Sequence, residues 1–364
     1  MSSPPQSSKP THVKVKHPNP SSATSIANYS SVIHPIPFYP SHRLVHNERD
    51  KIQSVANPES PHLMTPVNIC PRRLIDARTL KLVEFDTNTF IPPYAILSHR
   101  WTEEVVYDEF VQPHAETFAK SGYLKIDAAC RQARQDGIGY IWVDTCCIKQ
   151  GDPADVSANI TSMYAFYQNT EVCYAYLADV PWPEKYIVLS DWFERGWTLQ
   201  ELIAPRTVVF FDKDWQRIGD KHELRDTIYW KTTIPPAILS GEQFIQDIDV
   251  LTRMTWAMQR STTKAQDEAY CLQGLLGVSL EPNYDENFLA SFNRLGKALF
   301  DAQPELKARL GVDDDLFRNP NSPYFWDLLF SKIEETRTAI LDGLDKRLGS
   351  TNSDMSIEDE EMEI

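Results

Sequence analysis

The chain of 364 residues is 42% hydrophobic and 24% charged, enough apolar material for a sizeable core and one or two domains. Its 36 Lys and Arg face 51 Asp and Glu, a net charge of -15, which excludes a surface built to neutralise phosphates and leaves nucleic acid and anionic membranes as poor partners. No run approaches the roughly 18 consecutive apolar residues of a membrane-spanning helix, and the start of the chain holds no apolar signal core. Six cysteines without a CxxC pair build neither a disulfide scaffold nor a structural zinc site, so a reducing, cytoplasmic location is expected.

Residues 1–70 hold eleven prolines and twelve serines but no glycine or tryptophan, too little apolar surface to offset chain entropy, and are expected to be a disordered tail. That tail carries a net +3, so the acidity belongs to the rest of the chain. From residue 94 on, short apolar runs alternate with segments of helical period, the pattern of a parallel sheet with crossover helices. Four strands are predicted, at 94–98 (YAILS), 140–145 (YIWVDT), 172–177 (VCYAYL) and 207–211 (TVVFF), each apolar throughout, as in strands covered on both faces.

Between the first two strands, Ile126, Cys130 and Ala133 recur at helical spacing, and Asp136-Gly137 supplies a stop. The next helix is predicted from its own chemistry: Asp152 as N-cap, Pro153 in the first position, Asp155 in the first turn, then Val156, Ile160, Met163 and Tyr167 on one face. A third helix is predicted over residues 193–204, stopped by Pro205. Further helices follow at 221–229, 250–259, 264–276, 287–300 and 323–348, expected to form a mostly helical lobe. Residues 351–364 hold six acids and no base and are expected to fray.

In an open parallel sheet, ligands gather beyond the carboxyl ends of the strands. Ser98, His99, Arg100 and Trp101 lie after the first strand, Asp144, Thr145, Cys146 and Cys147 after the second, and Asp179 after the third. The third helix adds WFERGWTLQEL at 192–202. At about 100° per residue, its Leu199, Leu202 and Ile203 face the sheet while Trp197, Gln200 and Glu201 cluster opposite. Two readings stand: a solvated face with an incidental tryptophan, or a carboxylate whose aromatic wall raises its pKa and steadies a cationic transition state. Cys146 or Cys147 with His99 forms a rival thiolate-imidazole pair, although adjacent cysteines at a buried strand end also serve as small core residues. No HxH, HxxxH or HExxH spacing points to a metal, and neither GxGxxG nor a P-loop is present.

Five stretches then read together: PRRLIDARTLKLVEF (71–85), YAILSHRW (94–101), KIDAACRQARQDGIGYIWVDTCCI (125–148), SMYAFYQNTEVCYAYLADV (162–180) and WFERGWTLQELIAP (192–205). In them the sequence resembles the fungal heterokaryon incompatibility (HET) domain family, and MTWAMQRSTTKAQDEAYCLQGLLGV (254–278) is similar to the segment that commonly follows that domain. The resemblance implies a role in non-self recognition and regulated cell death on fusion of unlike fungal cells, a form of fungal innate immunity. It also implies an α/β fold related to Toll/interleukin-1 receptor (TIR) domains, with a flavodoxin-like parallel sheet. On this basis residues 71–215 are the expected HET (TIR-like) domain and 216–350 a helical HET-associated region.

TIR domains either assemble as scaffolds or hydrolyse NAD. GWTLQEL (196–202) is similar to the pattern that carries the glutamate of the enzymatic kind, which places Glu201 in the catalytic role. Ser98, Arg100, Trp101, Asp144 and Trp197 are the candidate residues to hold NAD as substrate, with Trp101 or Trp197 as aromatic wall and Arg100 or Arg195 at the pyrophosphate; Arg195 serves equally as a structural ion pair. No other cofactor is implied. The alternative is a non-enzymatic, self-assembling adaptor, a homo-oligomer answering a protein trigger that the sequence does not identify. Departures from the family pattern are Lys149 and Gln150 after WVDTCCI, Asp155 and Ala158 at positions usually occupied by Glu, Thr102 after Trp101, and YDEN at 284–287.

Overall fold

A computed structural model describes residues 69–86, 89–181, 187–312, 319 and 322–354, with side chains as far as 344. Residues 1–68 and 355–364, the bulk of both expected tails, lie outside the described residues.

All four expected strands form, within a seven-stranded mixed sheet whose order is β2-β1-β4-β3-β5-β6-β7, but the second ends at Trp142 rather than 145 because Asp144 and Thr145 open a helix. The strands are β1 (Arg73–Asp76), β2 (Lys81–Glu84), β3 (Tyr94–His99), β4 (Tyr140–Trp142), β5 (Val172–Tyr176), β6 (Val208–Phe211) and β7 (Arg217–Asp220). The central four, β4-β3-β5-β6, are parallel, and every residue of β3 is buried, which is why these strands read as unbroken apolar runs. The edges are antiparallel and were not among the expected strands: β1 pairs with β2 and β4, and β7 with β6. Asp76 builds the first of these hairpins by accepting from the backbone amides of Arg78 (2.8 Å) and Thr79 (2.9 Å).

From β3 the chain passes through α1 (Tyr107–Val111) and α2 (Ser121–Gln135) to β4, and from β4 through α3 (Asp144–Cys147) and α4 (Pro153–Gln168) to β5. β4 and β5 flank β3 on opposite sides, so right-handed crossovers send α2 to one face of the sheet and α4 to the other. Connections that part at the carboxyl ends of β3 and β4 open a crevice there. The start of α4 forms as its sequence dictates, with Asp152 accepting from the amides of Ala154 (3.0 Å) and Asp155 (3.3 Å).

The third predicted helix is corrected. Residues 193–204 are not one helix but a 3-10 turn (Asp191–Glu194), an extended Arg195-Gly196 step and a short α5 (Thr198–Ile203). Segment 261–262 takes the backbone groups that a helix would have used: Ser261 donates its amide to Glu194 (2.7 Å) and accepts from that of Gly196 (2.8 Å). Thr262 packs so closely that a Cβ at Gly196 would lie 2.5 Å from its methyl. Nor is the polar side of α5 solvated: Gln200 and Glu201 are 2% and 5% exposed, and Glu201 turns toward the carboxyl end of β3, where it accepts from Ser98.

The later helices are α6 (Arg225–Thr232), α7 (Pro236–Leu239), α8 (Val250–Thr255), α9 (Asp267–Tyr270), α10 (Gln273–Leu276), α11 (Phe288–Ala302), α12 (Pro304–Leu310) and α13 (Tyr324–Asp354). The stretch predicted as one helix at 264–276 is therefore two, α9 and α10. α10 docks on α4 at Gly274, where Tyr164 fills the space of a missing Cβ. Buried apolar residues from Leu74 to Ile333 form one continuous cluster, so these helices share the core of the sheet.

Candidate functional site

A cleft of about 600 Å³ opens at the carboxyl ends of β3 and β4. β3 and the loop after it bring His99 and Trp101, the start of α3 brings Asp144, and α4 brings the apolar side chains Val156, Ile160 and Met163. α5 and the step before it add Arg195, Trp197, Thr198 and Glu201, and the chain around α9 and before α11 adds Lys264, Asp267 and Tyr284.

Glu201 is held by a directed chain of hydrogen bonds. Trp192 Nε1 donates to Ser98 Oγ (2.8 Å), and Ser98 donates to Glu201 Oε2 (2.5 Å), so the indole fixes the serine oxygen as acceptor and commits its proton to the carboxyl. Burial pushes this carboxyl up to about 8, well above an ordinary glutamate. The Ser98 bond opposes that rise, Asp144 adds to it, and Arg195 and Tyr167 oppose it. The environment thus keeps the group neutral near pH 7 with donors in place to hold it when it ionises.

A second charged group runs inward from the cleft. Trp101 Nε1 donates to Asp144 Oδ2 (2.8 Å), and the His99 ring, fully buried, stands 3.7 Å from Asp144 and 3.6 Å from Glu104. Lys125 closes the series on Glu104 at 2.6 Å, both side chains buried. Burial works to raise Glu104, but contact with His99 and Lys125 outweighs it and holds the carboxyl below the usual range. Asp144 goes the other way, raised by its own burial. Both ring nitrogens of His99, Glu104 Oε2 and Asp144 Oδ1 are buried with no hydrogen-bond partner among the described residues. Unsatisfied groups of this density are costly and collect where a protein does chemistry.

Of the residues singled out in the sequence, Glu201, Trp101, Asp144 and Trp197 line the cleft, and Ser98 lies directly behind Glu201. Arg100 does not reach it: its guanidinium pairs with Asp191 at the surface. Arg195 does, and the ion pair expected for it is absent, since no carboxylate stands within ion-pair range of it among the described residues. Asp179 ties down the 3-10 turn by accepting from Ser190 Oγ (2.6 Å) and the Asp191 amide (2.8 Å).

The rival cysteine pair is not assembled. Cys146 and Cys147 are buried, neither lines the cleft, and burial pushes the Cys146 thiol far from thiolate. Asp155 is likewise occupied, accepting from Arg73 and from the Lys149 amide (2.8 Å), so it anchors α4 rather than facing the cleft. Among the described residues no cluster of His, Cys, Asp and Glu is arranged to hold a metal, and no helix is long and apolar enough to cross a membrane.

Sequence reasoning missed Glu104, Lys125, Tyr167, Lys264, Asp267 and Tyr284. Glu104 and Lys125 look like ordinary surface charges, and only the fold reveals their burial. The last three lie far along the chain: Lys264 and Asp267 fall in the 254–278 stretch and Tyr284 opens YDEN, but neither likeness gave them a role.

The family model for heterokaryon incompatibility protein (HET) matches residues 94–182. Vegetative incompatibility protein HET-E-1 of Podospora anserina is 40% identical over 218 residues, covering 56% of this chain. The chain spans 16% of the length of that relative. No solved structure matches.

Proposed function

We propose that this chain, which carries a heterokaryon incompatibility domain, is an effector of non-self recognition and regulated cell death that hydrolyses the nicotinamide-ribose bond of NAD at Glu201. The parallel strands follow the order second-first-third-fourth, the flavodoxin-like arrangement, and this supports the TIR-like reading of the domain. One observation carries the chemistry: a buried carboxyl, aimed by Ser98, sits in a cleft flanked by Trp101 and Trp197.

Cleavage passes through a ribose with positive charge developing at C1′, which a carboxylate across from it stabilises. The C1′–N bond breaks with its electron pair going to nicotinamide, water adds to C1′, and its spare proton goes to solvent. With a pKa of about 8, Glu201 is mostly protonated in the free protein at pH 7, and ionising it there costs about 1.4 kcal/mol per unit. A cation within about 4–6 Å lowers a carboxyl by roughly 1–3 units, enough for the pyridinium of NAD to turn Glu201 into the carboxylate its reaction needs. The tryptophan faces suit a flat cationic ring.

The test is nicotinamide release from NAD by the concentrated full-length protein and its Glu201→Gln variant. A loss of at least about 100-fold in the variant is expected. Equal release by both, or none from the folded wild type, overturns the reading. The exposed Phe118 and Leu124 favour a second reading, assembly between copies, under which cell death survives Glu201→Gln but not charged substitutions at those two positions.

A further inference from the structure

The HET match ends at residue 182, yet the cleft is completed from elsewhere. Segment 261–267 is locked to the start of α5 through the Ser261 and Gly196 backbones, and beyond it Asp267 organises the wall. One Asp267 oxygen accepts from Trp197 Nε1 (3.2 Å) and the other from Tyr284 OH (2.8 Å). The Tyr284 ring in turn seats Lys264, whose ammonium lies 3.8 Å from the ring centroid. Two cations thus line one cleft, Arg195 and Lys264, neither with a carboxylate in ion-pair range among the described residues.

Elsewhere on this strongly acidic chain, cations beside structured carboxylates take them as partners: Lys125 with Glu104, Arg294 with Glu286, Lys120 with Glu109. Asp267 is close enough to feel both cleft cations but spends its oxygens on Trp197 and Tyr284. The guanidinium and the ammonium are left free for an incoming anion. Arg offers a planar fork and Lys a point charge, the pair of geometries that suits two adjacent phosphates.

We propose that Arg195 and Lys264 form a diphosphate-binding pair that selects dinucleotide over mononucleoside substrates, so that the segment around α9 is part of the functional site. This rests on the reading of the cleft as an NAD site and names how that substrate is recognised. Glu201 meets the ribose of the reacting half, while the cationic pair holds the bridging phosphates.

The test uses calorimetric titration of the full-length protein with two probes. ADP-ribose keeps both phosphates and lacks nicotinamide; nicotinamide riboside keeps the reacting half and lacks phosphate. Wild type is expected to bind ADP-ribose, with affinity falling as salt rises. Lys264→Gln and Arg195→Gln should each weaken ADP-ribose at least tenfold and flatten its salt dependence without weakening the cationic nicotinamide riboside, while Lys264→Arg restores most of the affinity. Glu201→Gln should still bind ADP-ribose. Equal ADP-ribose affinity in wild type and both glutamine variants overturns the proposal even if NAD is hydrolysed. Conversely, loss of ADP-ribose binding in those variants sustains the diphosphate pair even if no nicotinamide is released, in which case only the hydrolytic reading falls.

Discussion

The two ends of the central sheet are built to opposite rules. Toward the amino end the buried hydroxyls have partners: Tyr94 OH donates to the Phe166 carbonyl (2.7 Å), Thr170 to the Tyr94 carbonyl (2.8 Å) and Tyr174 OH to Asp136 (2.6 Å). At the carboxyl end, His99, Glu104, Asp144 and Gln200 bury polar atoms without hydrogen-bond partners among the described residues, and Glu201 is a carboxyl driven far from its ordinary value. Both ends share one core, so the contrast is not between a folded and a loose region. Strands and helices hold the amino end for stability and spend part of that stability on a charged, under-bonded layer at the other.

Substitutions at the two ends should therefore differ in kind. The largest effect is expected from Glu201→Gln, which removes nicotinamide release yet relieves the protein of a buried acid. The sign follows from linkage: the folded state holds the Glu201 proton to about pH 8 while the unfolded chain releases it near 4.5, so wild-type stability falls as pH rises between those values. The variant should gain thermal stability over wild type across that window, with little further change above it. A constant gap from pH 5 to 9 would show that Glu201 titrates normally.

Next in size is Lys125→Met, which strands Glu104 in the interior and should cost about 3–5 kcal/mol in denaturant unfolding. Adding Glu104→Gln to it should recover part of the loss, because the uncompensated charge is then gone. Ser98→Ala is milder in stability, about 1–3 kcal/mol, since it orphans Trp192 Nε1. It also removes the bond that lowers the Glu201 carboxyl, so the pH profile of any remaining activity should move upward. The smallest effect belongs to the amino end: Tyr174→Phe should cost about 1 kcal/mol and leave nicotinamide release untouched. A loss of activity there would break the division between the two ends.

Much of this fold was legible because its central strands are buried on both faces and so appear as unbroken apolar runs, as VCYAYL does. The α4 start was equally plain, because a cap and a first-turn proline act locally. The edge strands were not: KLVE and RIGD owe their conformation to partners across the sheet rather than to their own pattern. The break at Arg195-Gly196 was hidden for a similar reason, since it is imposed by residues 261–262. Glu201, found by motif, proved buried against Ser98 rather than exposed. Its supporting residues, from Tyr167 to Tyr284, converge only in three dimensions.

The most direct measurement is the titration of the Glu201 carboxyl itself, read as the wild type minus Glu201→Gln difference in the protonated carboxyl stretch of the infrared spectrum. A protonated group is expected at pH 7 with a midpoint near 8, lost on adding NAD at the same pH as the pyridinium charge lowers the carboxyl and its proton leaves to solvent. A carboxylate already ionised at pH 6, or a protonated band that NAD leaves unchanged, would contradict it.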